Sequence, residues 1–280
     1  MTVFKQIYGP LGLALFVGME LAAILNIPLA EIWVTPFAWY GYIFFVDWLV
    51  FRRKGYSLIL TGTREFFIML PISIILWCVF ELHNLAFKNW EYIGLPENIF
   101  LALMGYAVSF STILPALVET DMFLKSLDIF KFKVSPMQLS QNRLLFEIIL
   151  GILFIAVPTH WPSPYTGPLV WVGYLFVFSP LNYLLGIPSL FKERESGDLT
   201  PTFTLFLAGY LCGLVWEFLN FWAGAKWVYH VPYFENIKIF EMPLLGFLGF
   251  GPFALAFIEM YRFLRHCTRN SPNVYYSMKL

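Results

Sequence analysis

The stretch "WCVFELHNLAFKNWEY" (Trp77–Tyr92) closes an apolar run with a glutamate, a histidine and an asparagine, and "VWEFLNFWAGAKWVY" (Val215–Tyr229) repeats its frame. Glu81 and Asn84 correspond to Glu217 and Asn220 at an offset of 136 residues; Trp90 and Tyr92 correspond to Trp227 and Tyr229 at 137. Two further anchors keep the same order. "WYGYIFF" from Trp39 parallels "WVGYLFV" from Trp171 at 132, and Pro115 parallels Pro252 at 137. The growing offset puts small insertions in loops, where they are tolerated. A duplicated chain is expected, with residues 1–130 and 131–280 as its two copies.

Composition says what kind of unit is duplicated. Of 280 residues, 59% are hydrophobic, 20% aromatic and only 13% charged, with a mean hydropathy of +0.69. Soluble domains carry roughly a quarter charged residues, so this is membrane composition. Eighteen basic and eighteen acidic residues cancel, which removes the electrostatic case for nucleic acid. Cys78, Cys212 and Cys267 lie far apart, form no CxxC pair and read as small apolar residues.

A helix needs about 20 mostly apolar residues to cross the bilayer core. Eight such stretches are predicted, over residues 8–26, 32–51, 65–86, 97–118, 143–158, 167–187, 203–223 and 243–264. The first is read as a retained span, since its apolar run leads straight into more membrane sequence. The fold expected is an all-α polytopic bundle of about eight transmembrane helices, built as two parallel four-helix repeats. Four spans per copy preserve direction, so the copies are related by a pseudo-twofold axis along the membrane normal. No span shows the Gly/Pro-broken pairs at mid-depth that transporters often carry.

With both termini cytoplasmic, 15 of the 18 basic residues fall on the cytoplasmic side, Lys5, Arg52, Arg53, Lys54, Arg269 and Lys279 among them. Only Lys88, Lys226 and Lys238 fall outside. The positive-inside rule selects this orientation, and a bacterial inner membrane is the expected location.

Glu81 and Asn84 share a helix face with Trp77, and Glu217, Asn220 and Gly213 do the same in the second copy. Both glutamates fall in the outer third of their spans. A carboxylate there costs a few kcal/mol unless it faces the bundle interior, pairs, or becomes neutral. Glu81 and Glu217 are therefore candidate acids, and Asn84 and Asn220 candidates for orienting them or a substrate. Interhelical hydrogen-bond glue accounts for the same pairs, and the duplication itself favours neither reading. Trp90, Tyr92, Trp227 and Tyr229 sit where the chain leaves the membrane. An interfacial aromatic belt accounts for that position; their repetition also fits a lid over a hydrophobic cleft.

The four histidines lack metal or haem spacing and read as interfacial side chains, so no metal or cofactor is expected. His83 and His230 alone have positions from which they could meet at the outer surface. Asp47, Glu119, Asp121, Glu147 and Glu259 lie near inner helix ends, where adjacent loop bases are expected to pair with most of them. Glu20, midway along the first span, is expected to line the interior or find a partner on a neighbouring helix. No Walker loop, dinucleotide fingerprint, GxSxG elbow or HExxH occurs.

From Trp216 onward the chain resembles the lycopene cyclase domain of the heterodimeric and fungal type. The parallels are Trp216-Glu217, Trp227 and the run "IKIFEMPLLGFLGFGPFALAFIEMY" with Pro252 and Glu259. That family also joins two related small membrane domains. Where it has paired glutamates, its expected proton donors for cyclising a polyene end, this chain has Leu245 and Gly246. The resemblance implies a protein that binds or modifies an isoprenoid, carotenoid or quinone-like lipid. Glu81 and Glu217 would act as acids in a cyclase- or isomerase-like reaction, with Trp77, Trp90, Tyr92, Trp216, Trp227 and Tyr229 around the substrate. The alternatives are a non-catalytic subunit, with membrane-protein partners, or a small transporter.

Overall fold

The computed structural model describes residues 2–232 and 236–268. It is all-α apart from two short strand pairs, with eight helical spans long and apolar enough to cross a membrane. In chain order the elements begin α1 (Thr2–Ile24), α2 (Pro28–Lys54) and α3 (Thr63–Phe87). β1 (Trp90–Ile93), α4 (Ile99–Ser111) and α5 (Ile113–Ser126) complete the first half. The second half has α6 (Gln141–His160), α7 (Gly167–Leu184), the short α8 (Leu190–Ser196) and α9 (Thr200–Trp222). β2 (Lys226–Tyr229), β3 (Lys238–Ile239), β4 (Met242–Pro243), a 3₁₀ turn (Leu244–Gly249) and α10 (Phe250–Cys267) follow. An even number of spans puts both described ends, the 55–62 loop and α8 on one face, and β1 and β2 on the other. The basic residues Arg269 and Lys279 lie outside the described residues.

Local chemistry sets the element ends. Asn98 caps α4 by accepting the Phe100 and Leu101 N–H groups, and Ser140 and Ser189 cap α6 and α8 in the same way. Gly55 ends α2 in the left-handed region at φ 76°, where only glycine is unstrained.

Small residues set how closely the helices pack. At the α1–α2 crossing, a Cβ on Gly41 would stand 2.6 Å from the Gly12 carbonyl oxygen. At the α6–α7 crossing, a Cβ on Gly173 would stand 3.0 Å from the Gly151 carbonyl oxygen. Gly41 and Gly173 are matching positions of the two sequence copies, and each lets its hairpin close backbone to backbone. α5 packs against α2, α3 and α9, and α10 packs against α7, α9 and α3. At the face of the chain ends, the buried Arg265 guanidinium clamps Glu65 through both carboxylate oxygens at 2.6 and 2.7 Å, tying α10 to α3. Tyr261 donates to the same carboxylate.

The fourth and eighth spans are both interrupted, contrary to the expectation of unbroken helices. The fourth also runs on to Ser126, beyond the predicted 118. It changes from α4 to α5 at Thr112, three residues before Pro115, whose missing N–H removes a ladder bond. The Ser73 hydroxyl from α3 enters the gap. It donates to the Phe110 carbonyl at 2.5 Å and accepts the Leu114 N–H at 3.0 Å. These two groups would otherwise bond to each other. The eighth span begins as a 3₁₀ turn and becomes α-helical at Phe250, two residues before Pro252.

Candidate binding site

β1 and β2, each just beyond one copy of the repeated motif, pair antiparallel: Trp90 with Tyr229, Glu91 with Val228, and Tyr92 with Trp227. Exchanging the two sequence copies maps this register onto itself. The asparagines build it. Asn84 donates to the Trp90 carbonyl at 2.7 Å and accepts the N–H groups of Asn89 and Trp90 at 2.9 and 3.2 Å. Asn220 donates to the Trp227 carbonyl at 2.8 Å and accepts the Trp227 N–H at 3.0 Å. Both amides are thus occupied by backbone, and each folds its strand back against its own helix.

The glutamates are occupied by aromatic donors. Glu81 Oε1 receives the indole N–H of Trp77 at 2.7 Å, that of Trp90 at 3.1 Å and the Tyr92 hydroxyl at 2.5 Å. Glu217, fully buried on α9, receives the Tyr229 hydroxyl at 2.7 Å. Tyr229 in turn accepts the Trp227 indole N–H at 2.8 Å. Glu217 Oε2 is buried without a hydrogen bond. Each acid draws its donors from its own half of the chain. Burial, and next to it the adjacent carboxylate, push the phenols of Tyr92 and Tyr229 well above the ordinary tyrosine range, so both remain neutral donors.

Behind the ribbon lies an apolar cavity of about 260 Å³ between the two halves. Seven of the chain's ten tryptophans line it: Trp33, Trp39, Trp77, Trp90, Trp171, Trp216 and Trp227. Four of the rings pack in sequence, with Trp77 5.3 Å from Trp216 and 6.2 Å from Trp171, and Trp216 6.2 Å from Trp39. Phe253 of α10 closes edge-on against Trp171 and Trp77 at 5.2 and 5.9 Å. Tyr92 and Tyr229 also line the cavity, whereas Glu81, Asn84, Glu217 and Asn220 stand outside its lining. Three of its lining residues, Leu95, Leu101 and Leu245, are also exposed at the surface.

The residues singled out from sequence thus come together, with tasks divided. The aromatic ones face the space, the acids hold aromatic hydroxyls and indoles, and the amides hold backbone. Trp39, Trp171 and Phe253 were not singled out, although Trp39 and Trp171 open one of the four repeat anchors. His83 also lines the cavity, bonded to the Tyr174 hydroxyl at 2.9 Å and the Thr159 hydroxyl at 3.3 Å. His230 instead bonds Glu91 at 2.9 Å, so the two histidines have separate partners. Among the described residues no group of three or more His, Cys, Asp or Glu side chains gathers where a metal ion would sit. No family model, curated protein or solved structure matches this chain.

Proposed function

We propose that this membrane protein binds an elongated apolar lipid of isoprenoid type in the tryptophan-lined cavity. Tyr92 and Tyr229 present hydroxyls to that lipid, held in place by Glu81 and Glu217. The observation that carries the reading is the cavity wall: seven indole rings from both halves, with two carboxylate-backed phenols beside them. Aromatic faces attract polyene π systems and developing cationic carbon, which suits an isoprenoid better than a saturated acyl chain. In a cyclase- or isomerase-like reaction, a protonated Glu81 or Glu217 would pass its proton to the tyrosine oxygen as the tyrosine hydroxyl gives its own to the lipid. Proton loss from the cationic lipid would restore the pair. The two halves, 1–130 and 131–280, would then be two copies of one four-span unit with the site on their seam.

The test is mass spectrometry and an absorption spectrum of organic extracts from gently purified protein. An isoprenoid retained by the wild type and depleted in the Glu81→Gln/Glu217→Gln variant is expected. Bulk phospholipid alone in the wild-type extract overturns the proposal. A transport reading draws on one specific feature, the interruption of the fourth and eighth spans at matching positions, Thr112 and Gly249. Proteoliposomes that move the extracted lipid or a polar solute between compartments would favour it.

A further inference from the structure

A second pair of acids lies deeper in the bundle. Asp47, in the last turns of α2, is fully buried and accepts the Tyr8 hydroxyl at 2.8 Å and the Ile59 N–H at 2.7 Å. Glu119 on α5 is fully buried and faces the Asp47 carboxyl, and neither of its oxygens accepts a hydrogen bond. The expected loop bases are not there: among the described residues no lysine, arginine or histidine forms an ion pair with either acid. The other titratable groups around Glu119 and Asp47 are Tyr8 from α1 and Tyr42 from α2. Cys212 from α9 joins them by sharing the Thr120 hydroxyl with Tyr42, at 3.3 and 2.8 Å.

Two carboxyls facing each other in a low-dielectric interior cannot both be ionised, so one proton must stay between them. Asp47 already has two donors and Glu119 has none. The proton therefore belongs on Glu119 and is directed at Asp47. Ala116, a cavity-lining residue, is one helical turn from Glu119, about 4.5 Å along α5. On the other side, Asp47 is a single hydrogen bond from Ile59 in the 55–62 loop, at the face of the chain ends.

We infer that Glu119 and Asp47 form a proton-binding site beneath the cavity floor, in exchange with water at the face carrying the chain ends. α2 and α5, which hold the pair, also supply cavity wall: Thr35, Pro36 and Trp39 from one, Ile113, Ala116 and Leu117 from the other. Any ligand that changes the spacing of these helices changes the affinity of the pair for its proton. The inference stands whatever occupies the cavity, so it fails or survives independently of the lipid reading.

Infrared spectroscopy of the full chain in lipid bilayers tests it. At neutral pH a protonated-carboxyl component is expected that Glu119→Gln removes, Asp47→Asn shifts and Glu20→Gln leaves alone. Glu20 is the control because it is a buried carboxyl on α1 with no hydrogen-bond partner. The component should move in D₂O as quickly as the surface amides exchange. A spectrum indifferent to Glu119→Gln, or a component that holds its proton in D₂O as long as the buried amides do, overturns the proposal. Should Glu119→Gln not fold, ¹³C-glutamate labelling decides in its place. The component must then move on labelling of the otherwise unaltered chain and respond to Asp47→Asn.

Discussion

Asn220 shows what a buried amide does in this protein. Both its polar atoms are spent on one residue, Trp227, and none of its surface is exposed. Asn220→Ala leaves the Trp227 N–H and C=O without those partners, at about 1–3 kcal/mol each. A stability loss of about 2–6 kcal/mol is expected, read as a fall in the denaturation midpoint in detergent. Tyr92 and Tyr229 carry a pH signature. Their folded-state values lie above the unfolded one of about 10, so the native state holds their protons longer. Stability is insensitive to them at neutral pH and falls as pH rises through the unfolded value. The Tyr92→Phe/Tyr229→Phe variant should lose less stability than the wild type between about pH 9 and pH 11, as thermal melts at both will report. Sequence placed acid and amide on one helix face and suggested that they act together. The structure separates them, because the amide reaches backbone folded back from β1 or β2, and that return path is invisible to helical spacing.

The elements were legible to different degrees. The eight spans follow from apolar length alone, whereas their ends do not, the fourth running on to Ser126. The two strands were missed. Four-residue runs such as "WEYI" and "KWVY" read as an interfacial belt, and a strand is defined by its partner, here about 137 residues away in sequence. The break at Thr112 was also missed, since Pro115 alone permits an intact span and the inserted hydroxyl comes from Ser73 on another helix. Ser73→Ala should remove the bridge between Phe110 and Leu114, with a cost of about 1–3 kcal/mol. Differential scanning of the purified protein will show it as a lowered midpoint. Gly41→Ala drives a methyl group into the Gly12 carbonyl and the α1 backbone, so α1 and α2 must separate; about 1–3 kcal/mol of destabilisation is expected in the same assay.

For the whole molecule, the positive-inside count makes one prediction: the face with the chain ends should be cytoplasmic. Cys267 is exposed near the end of α10 on that face, and Lys88 is exposed at the opposite one. In a Cys78→Ala background, a membrane-impermeant maleimide should label Cys267 only in inside-out vesicles. A Lys88→Cys variant that also carries Cys267→Ala should be labelled only in right-side-out ones, and the reverse pattern inverts the topology. The correspondence between the halves is legible in sequence from four anchors. Their meeting across a shared cavity is not, because seven tryptophans converge only once both halves are packed.

The ribbon also sets a timetable for the protein's birth. β1 leaves the ribosome long before β2, with about 130 residues between them, or roughly 7–30 seconds of synthesis at ~5–20 residues per second. During that interval the first half holds its own acid satisfied, since Trp77, Trp90 and Tyr92 all precede the gap. Its rim is nevertheless an unpaired strand edge, and half of the tryptophan wall has nothing to face. A nascent chain stalled before Lys226 should therefore be inserted yet open, and the cavity comes into being only with the last two spans.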